Sequence, residues 1–266
     1  MEKLKNVTIG SDPEIFLEDN KGNVASVIGL IGGTKKKPIN IGNGCFLQED
    51  NILAEGNIPP CKTKQEFLDS LNYLKDYIEL VVSPLNLNLR FSSSERVDET
   101  ILMEDGANVF GCASSFNFIT EDISSLSEMP ENYLDMRSSG FHIHYGWDNP
   151  TYDQRMAVVL LHEIFVSLPR IVEDNDHHDR RAFYGKFGDS RLKEYGVEAR
   201  SLGGYFMKDD DSINRVWDDV QKVIEFYNNN EIDLNLLRSE MQFLNEKVLD
   251  FEKVNELILK YQKQYV

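Results

Sequence analysis

The chain has 266 residues, 41% of them hydrophobic and 27% charged, and carries a formal net charge of −17. Aromatic residues at 11% together with that apolar fraction exclude wholesale disorder, and the length suffices for a core that needs no covalent staples. So large an acidic excess argues against nucleic acid or an anionic membrane as the main partner, because both demand a basic face. Cys45, Cys61 and Cys112 are widely spaced and form no CxxC pair, which fits a reducing compartment better than a disulfide framework or a zinc knuckle. With no apolar signal core at the start and no apolar run long enough for a bilayer, the expectation is a cytoplasmic protein.

The first elements read as strands. Val7 to Leu17 and Val24 to Leu30 flank the turn signal Lys21-Gly22-Asn23 and predict a hairpin. A loop rich in glycine and lysine, Gly32 to Pro38, precedes two further strand-like pieces around Glu49 and Glu55, which stop at Pro59-Pro60. Thr63 to Val82 changes period: Phe67, Leu71, Leu74, Ile78 and Val81 recur at helical spacing, with Thr63 as N-cap and Glu66 three residues on. Strands return at Leu87 to Val97, Val109 to Ile119 and Gly140 to Trp147, and Thr151 to Leu168 predicts a helix. A dense polar segment, Glu173 to Arg191, leads to a strand near Val197 to Leu202. The tail is helical, with one stripe on Ile213, Val216, Trp217, Val220 and Ile224 and another from Leu234 to Tyr261. Strands that follow strands predict an α+β domain with a largely antiparallel sheet and helices packed on one face.

One spacing recurs. Residues two apart on a strand point to the same side. Asp12-Pro13-Glu14, Glu55-Gly56-Asn57, His142-Ile143-His144 and Glu198-Ala199-Arg200 each carry two polar or ionisable groups at that spacing. Each also has an ordinary reading: a surface pair for the histidines, a polar turn for Asp12 to Glu14, an exposed strand pair for Glu198 and Arg200. Glu49-Asp50-Asn51 reads as a hairpin turn, with Glu49 able to serve as a ligand as well, and His177-His178 lies in an acidic run typical of a surface. The conjunction of four pairs is what points to a sheet with one functional face. Carboxylates and imidazoles without a thiolate favour Mg²⁺ or Mn²⁺. Arg180-Arg181, Lys186 and Arg191, grouped around glycines, suit polyphosphate oxygens, and carboxylate-held cations beside such a group are the requirement for phosphoryl transfer.

In this order the motifs resemble those of the phage-type COOH–NH2 ligases (amidoligases) of the glutamine synthetase and glutamate–cysteine ligase superfamily. The resemblance rests on Gly10-Ser11-Asp12-Pro13-Glu14-Ile15-Phe16, Gln48-Glu49-Asp50-Asn51 with Ala54-Glu55-Gly56-Asn57-Ile58-Pro59-Pro60, Gly140-Phe141-His142-Ile143-His144-Tyr145-Gly146, and Arg180 to Lys186 through Arg191 to Arg200. Roughly residues 10 to 205 are covered; Gly56 stands where that family often has a bulky aromatic, and 111–117 lack an expected Pro-Asp pair.

The resemblance implies a curved antiparallel sheet that holds ATP and divalent metal on its concave face, in one catalytic domain over 1–266 with a helical C-terminal region from about 212. It implies Glu14, Glu55, His142 and Glu198 as metal ligands, with Asp12 and Glu49 as further candidates. His144 is expected to face the nucleotide, and Arg200 with some of Arg180, Arg181, Lys186 and Arg191 to face phosphate oxygens or a substrate carboxylate. Lys35 is expected to close over the site, and Glu49 to accept the proton of an amine. The implied activity is ATP-dependent amide formation between a carboxylate and an amine, each a small molecule or a peptide. A metal-dependent hydrolase or ATPase on the same carboxylates, and an inactive nucleotide-binding module, stand as alternatives. Substrates and oligomeric state are open.

Overall fold

The computed structural model describes residues 1–105, 107, 115–124, 131–171, 173–174, 177–246 and 248–265. Five strands come first: β1 (Thr8–Asp19), β2 (Val24–Ala25), β3 (Ile39–Gly42), β4 (Cys45–Asp50) and β5 (Leu53–Asn57). Then follow α1 (Lys64–Val82), β6 (Leu87–Arg90), β7 (Ser94–Arg96), α2 (Glu99–Leu102), β8 (Ser115–Asn117), β9 (Ile123–Ser124), β10 (Met136–Ser138) and β11 (Phe141–Gly146). The last part holds α3 (Tyr152–His162), α4 (His177–Phe183), β12 (Asp189–Lys193), β13 (Gly196–Ala199), α5 (Asp210–Asn229), α6 (Leu234–Glu240) and α7 (Phe251–Tyr265).

Among the described residues the main sheet has eleven strands in the order β3-β4-β5-β1-β11-β13-β12-β8-β9, with β2 and β6 paired to the far end of β1. Every pairing is antiparallel. The chain is therefore α+β with a large antiparallel sheet. Alternation explains its two faces. Ile9, Ile15 and Leu17 of β1, Phe141, Ile143 and Tyr145 of β11, and Val197 and Ala199 of β13 share one face and join a core that also takes in the helices. Their sequence neighbours point to the other side.

Helices cover the apolar face. In α1 the Thr63 hydroxyl accepts the Glu66 N–H and the Glu66 carboxylate returns to the Thr63 N–H, a capping box as predicted. Phe67, Leu71, Leu74, Ile78 and Val82 are buried, each contributing about 1.5–3 kcal/mol. Phe67 packs on Phe141 of β11 at 6.2 Å and on Trp217 of α5 at 5.3 Å between ring centroids.

The opposite face is concave. Phe46 and Glu55 of β4 and β5 line the same cavity as Arg191 of β12, although β1, β11 and β13 stand between β5 and β12. In a flat sheet that separation is about 19 Å, beyond the reach of one arginine side chain, so the sheet curls around the space.

Several boundaries differ from the sequence reading. The strand predicted for Val24 to Leu30 pairs only at Val24–Ala25, because the chain turns through glycines at positive φ, Gly29 and Gly32. The strand predicted for Leu87 to Val97 splits into β6 and β7. Of the one predicted for Val109 to Ile119, residues 109–114 lie outside the described set, Ser115–Asn117 form β8, and Phe118 and Ile119 turn away. The helix predicted for Thr151 to Leu168 is α-helical to His162, then passes through a π-turn (Glu163–Ser167) and a 3₁₀ turn at Leu168–Arg170 that contains Pro169. The second C-terminal stripe breaks into α6 and α7. No described helix is long and apolar enough to cross a membrane.

Candidate active site

Register builds the site. Across the concave face Gln48 stands opposite Glu55 and Glu55 opposite Glu14. One pleat further along β1, Asp12 stands opposite His142, while His144 pairs with Glu198 and Glu198 with Arg191. Partners of this kind have Cβ atoms about 4.5–5.5 Å apart, so six strands deliver polar and ionisable side chains to one band. The four spaced pairs of the sequence thus converge, and two trios result: Asp12, His142 and Glu198, and Glu14, Asp50 and Glu55, the ligand atoms within each lying inside 4.8 Å of one another.

The first trio is balanced in charge. His142 Nδ1 lies 3.0 Å from Asp12 Oδ1, and its Nε2 lies 3.1 Å from the Tyr184 hydroxyl. That hydroxyl in turn accepts from Arg200, whose other amino group donates to Glu198. Lys193 approaches the second oxygen of Glu198 at 2.7 Å and Arg191 stands 3.6 Å from the first. His144 completes the ring, with Nε2 3.0 Å from Asp12 and Nδ1 2.6 Å from the Tyr195 hydroxyl. Burial alone raises the Asp12 carboxyl, but His144 and His142 outweigh it and hold it well below its ordinary value. Glu198 is likewise buried beside Asp12, and Arg200, His142 and His144 bring it down. His142 is pushed down to about 4 by burial and by Arg200, which leaves its imidazole neutral and able to ligate.

The second trio is not balanced. Glu14 accepts the Gly140 N–H at 2.7 Å, and Glu55 accepts from the Gln48 amide at 2.5 Å. Lys35 places its ammonium 2.7 Å from Asp50 and 3.8 Å from Glu55. Burial, then repulsion from Asp50 and Glu55, pushes the Glu14 carboxyl up to about 8. Burial and Asp50 push Glu55 up to about 7. Three buried carboxylates thus crowd around one partly exposed ammonium. A divalent cation would supply the charge that such a cluster lacks, and the donors of the two trios together, hard oxygens and one imidazole with no thiolate, are of the kind that suits Mg²⁺ or Mn²⁺.

The structure brings Lys35, Arg191, Arg200, His144 and Asp12 together around Glu14, Glu55, His142 and Glu198. Four other expected residues it places elsewhere. Glu49 has the opposite parity on β4, opposite Ala54, and its carboxylate accepts the N–H groups of Gly29, Ile31 and Gly32, so it anchors a loop behind the site. Arg180 is fully buried with its guanidinium spent on backbone carbonyls: Ser139 at 3.1 Å, Ser201 at 2.7 Å, Arg200 at 3.1 Å and Leu202 at 3.2 Å. It holds the strands' ends together and offers no donors to phosphate. Arg181 lies over the Phe187 ring at 4.2 Å and donates to the Ser201 carbonyl. Lys186 is exposed, and its backbone N–H caps Asp189. The side chains of His177 and His178, like Cys112, lie outside the described residues.

Sequence reasoning missed Asp50, Tyr184, Lys193 and Tyr195. Asp50 carried a usable signal, two residues from Gln48 on the same strand face. Tyr184 carried none, because its partners His142 and Arg200 are brought to it only by folding. No family model matches the chain, and no curated protein matches it.

Proposed function

We propose that this chain is an ATP- and Mg²⁺-dependent carboxylate–amine ligase with a glutamine synthetase-like catalytic sheet, as the motif resemblance implies. The observation that carries the reading is the pairing of two ligand trios on one concave face, with the buried Arg200 bonded into the first of them. Glu14, Asp50 and Glu55 would hold one cation, and Asp12, His142 and Glu198 another. Bound Mg²⁺ or Mn²⁺ would supply positive charge for phosphate oxygens.

The chain's own residues do the rest. Arg200, fixed by Glu198 and the Tyr184 hydroxyl, sets a permanent positive charge beside the first trio, where charge develops on a phosphoryl group in transfer. An oxygen of the substrate carboxylate attacks the γ-phosphorus of ATP, ADP leaves, and an acyl phosphate forms. The amine nitrogen then attacks the acyl carbon, and phosphate departs. The proton lost from the amine passes to a carboxylate of the concave face, since Glu49 points to the other side. His144, stacked on Tyr195 at 6.1 Å, lines the nucleotide side in this reading.

Incubation with ATP, Mg²⁺ and carboxylate–amine pairs should release ADP and phosphate together with a condensed product visible by mass spectrometry. Glu198→Gln and His142→Ala should abolish it. Phosphate release without a condensed product would instead identify a hydrolase or ATPase, and nucleotide binding without turnover an inactive module.

A further inference from the structure

Lys35 occupies an unusual position. It sits at the tip of a closed turn in which the Thr34 and Lys37 backbones bond each other in both directions, at 3.1 and 2.9 Å. The base of that loop is tied down by Glu49 through the Gly29, Ile31 and Gly32 amides. Gly33, at φ +79, sits so close to β4 that an added Cβ would lie 2.8 Å from the Leu47 carbonyl oxygen. The base is rigid, while the Lys35 side chain is 36% exposed and carries its charge on a flexible stem. Its ammonium neutralises Asp50 and Glu55, the place a divalent ion would take.

Beside it lies an open cavity of about 430 Å³ lined from β4, β5, β12 and the Lys35 loop. Lys35 and Arg191 bring charge to its lining, Gln48 and Asn57 offer amides, and Phe46 and Pro38 supply apolar surface. Phe46 pairs with Asn57, and Gln48 with Glu55, across β4 and β5, so the amides and the aromatic ring form one platform leading to Glu55. Gln48 donates an amide N–H to Glu55, and its carbonyl oxygen can serve a ligand as acceptor.

We propose that Lys35 gates a carboxylate-binding subsite: a divalent cation at Glu14, Asp50 and Glu55 displaces its ammonium into the neighbouring cavity, where Lys35 and Arg191 together hold the carboxylate of an acylated amino acid or peptide. This rests on the ligase reading and adds to it an order of binding, cation before carboxylate substrate, and a substrate class. The carboxylate lies next to Glu55, an amide of the ligand meets Gln48 and Asn57, and an apolar side chain meets Phe46 and Pro38. Before the cation binds, Lys35 is engaged with Asp50 and Glu55, so its ammonium is not available to a carboxylate ligand in the cavity.

Calorimetric titration with Mn²⁺ and with N-acetylphenylalanine tests this, on folded protein checked by circular dichroism. Wild type should bind N-acetylphenylalanine about tenfold more tightly with Mn²⁺ present than without it, a coupling of ordinary size. Lys35→Met should bind Mn²⁺ about tenfold more tightly than wild type, because the competing cation is gone, and should lose the Mn²⁺-dependent gain for the carboxylate. Lys36→Met, the same change of charge one residue along the turn, should do neither. Arg191→Met should weaken N-acetylphenylalanine binding in the presence of Mn²⁺. Mn²⁺ binding that is unchanged in Lys35→Met, carboxylate binding that ignores Mn²⁺, or inorganic phosphate binding more tightly than the carboxylate would each overturn the gated subsite while leaving the ligase reading intact. Failure of wild type to bind Mn²⁺ at all would overturn the ligase reading itself.

Discussion

Glu163 makes the pH dependence of folding calculable. Its carboxyl is fully buried at the start of the π-turn, accepts the Gly188 N–H at 2.9 Å, and has one oxygen without a hydrogen-bond partner among the described residues. Burial pushes it up to about 7, against the pull of the Gly188 N–H, Ser201 and Arg181. The folded-state value lies above the unfolded one, so folding prefers the protonated form. Stability from this group is complete below the unfolded value of 4.5 and is lost as pH rises to about 7, beyond which the loss is constant. A rise from 4.5 to about 7 corresponds to about 3 kcal/mol. Glu163→Gln cannot ionise and keeps an acceptor for Gly188. Urea unfolding of wild type and variant, from pH 5 to 8.5, isolates the effect, because the difference between them cancels every other titration in the chain. The variant should gain on wild type by about 2–3 kcal/mol over that range. A difference that is the same at both ends would refute the reasoning. The site is sensitive to this group: Gly188 leads into β12, which bears Arg191 and Lys193, and Ser201 follows Arg200.

Other expectations follow from single contacts. Arg180→Lys should cost about 3 kcal/mol or more, read by urea unfolding, since a single ammonium cannot serve the same set of carbonyls; a changed nucleotide affinity at unchanged stability would contradict the strut role. Gly140→Ala should weaken Mn²⁺ binding about tenfold or more in calorimetry, because the added Cβ would lie 2.1 Å from His142 Nε2, in a ring pinned by Asp12 and Tyr184. Gly56→Ala should destabilise by about 1–3 kcal/mol without changing Mn²⁺ affinity, since its Cβ would meet Leu74 of α1 at 2.1 Å, on the side of β5 away from Glu55.

Local periodicity carried much of this protein's architecture. Alternation along β1, β11 and β13 was readable because a strand that buries one face must place every second residue there, and the Thr63–Glu66 cap and the stripe of α1 were readable because their partners lie within a turn or two. The same parity announced that Asp12, Glu14, Glu55, His142, His144 and Glu198 share faces of their own strands. It gave no sign of β12, which begins inside the polar segment Glu173 to Arg191 and becomes a strand through pairing with Val197 and Ala199. Only tertiary structure decided which strands sit side by side, and so which carboxylates meet. Asp50 joined Glu14 and Glu55 by that route, while Glu49, one residue away, was carried to the opposite face. Arg180 shows the reason most plainly. A guanidinium on its own suits phosphate, but folding delivers to it the carbonyls of Ser139 and of Arg200 to Leu202, and a buried donor bonds the acceptors that the fold places within reach. Sequence determines what chemistry each strand can present; the register between strands, set by packing over the whole core, determines which groups act together.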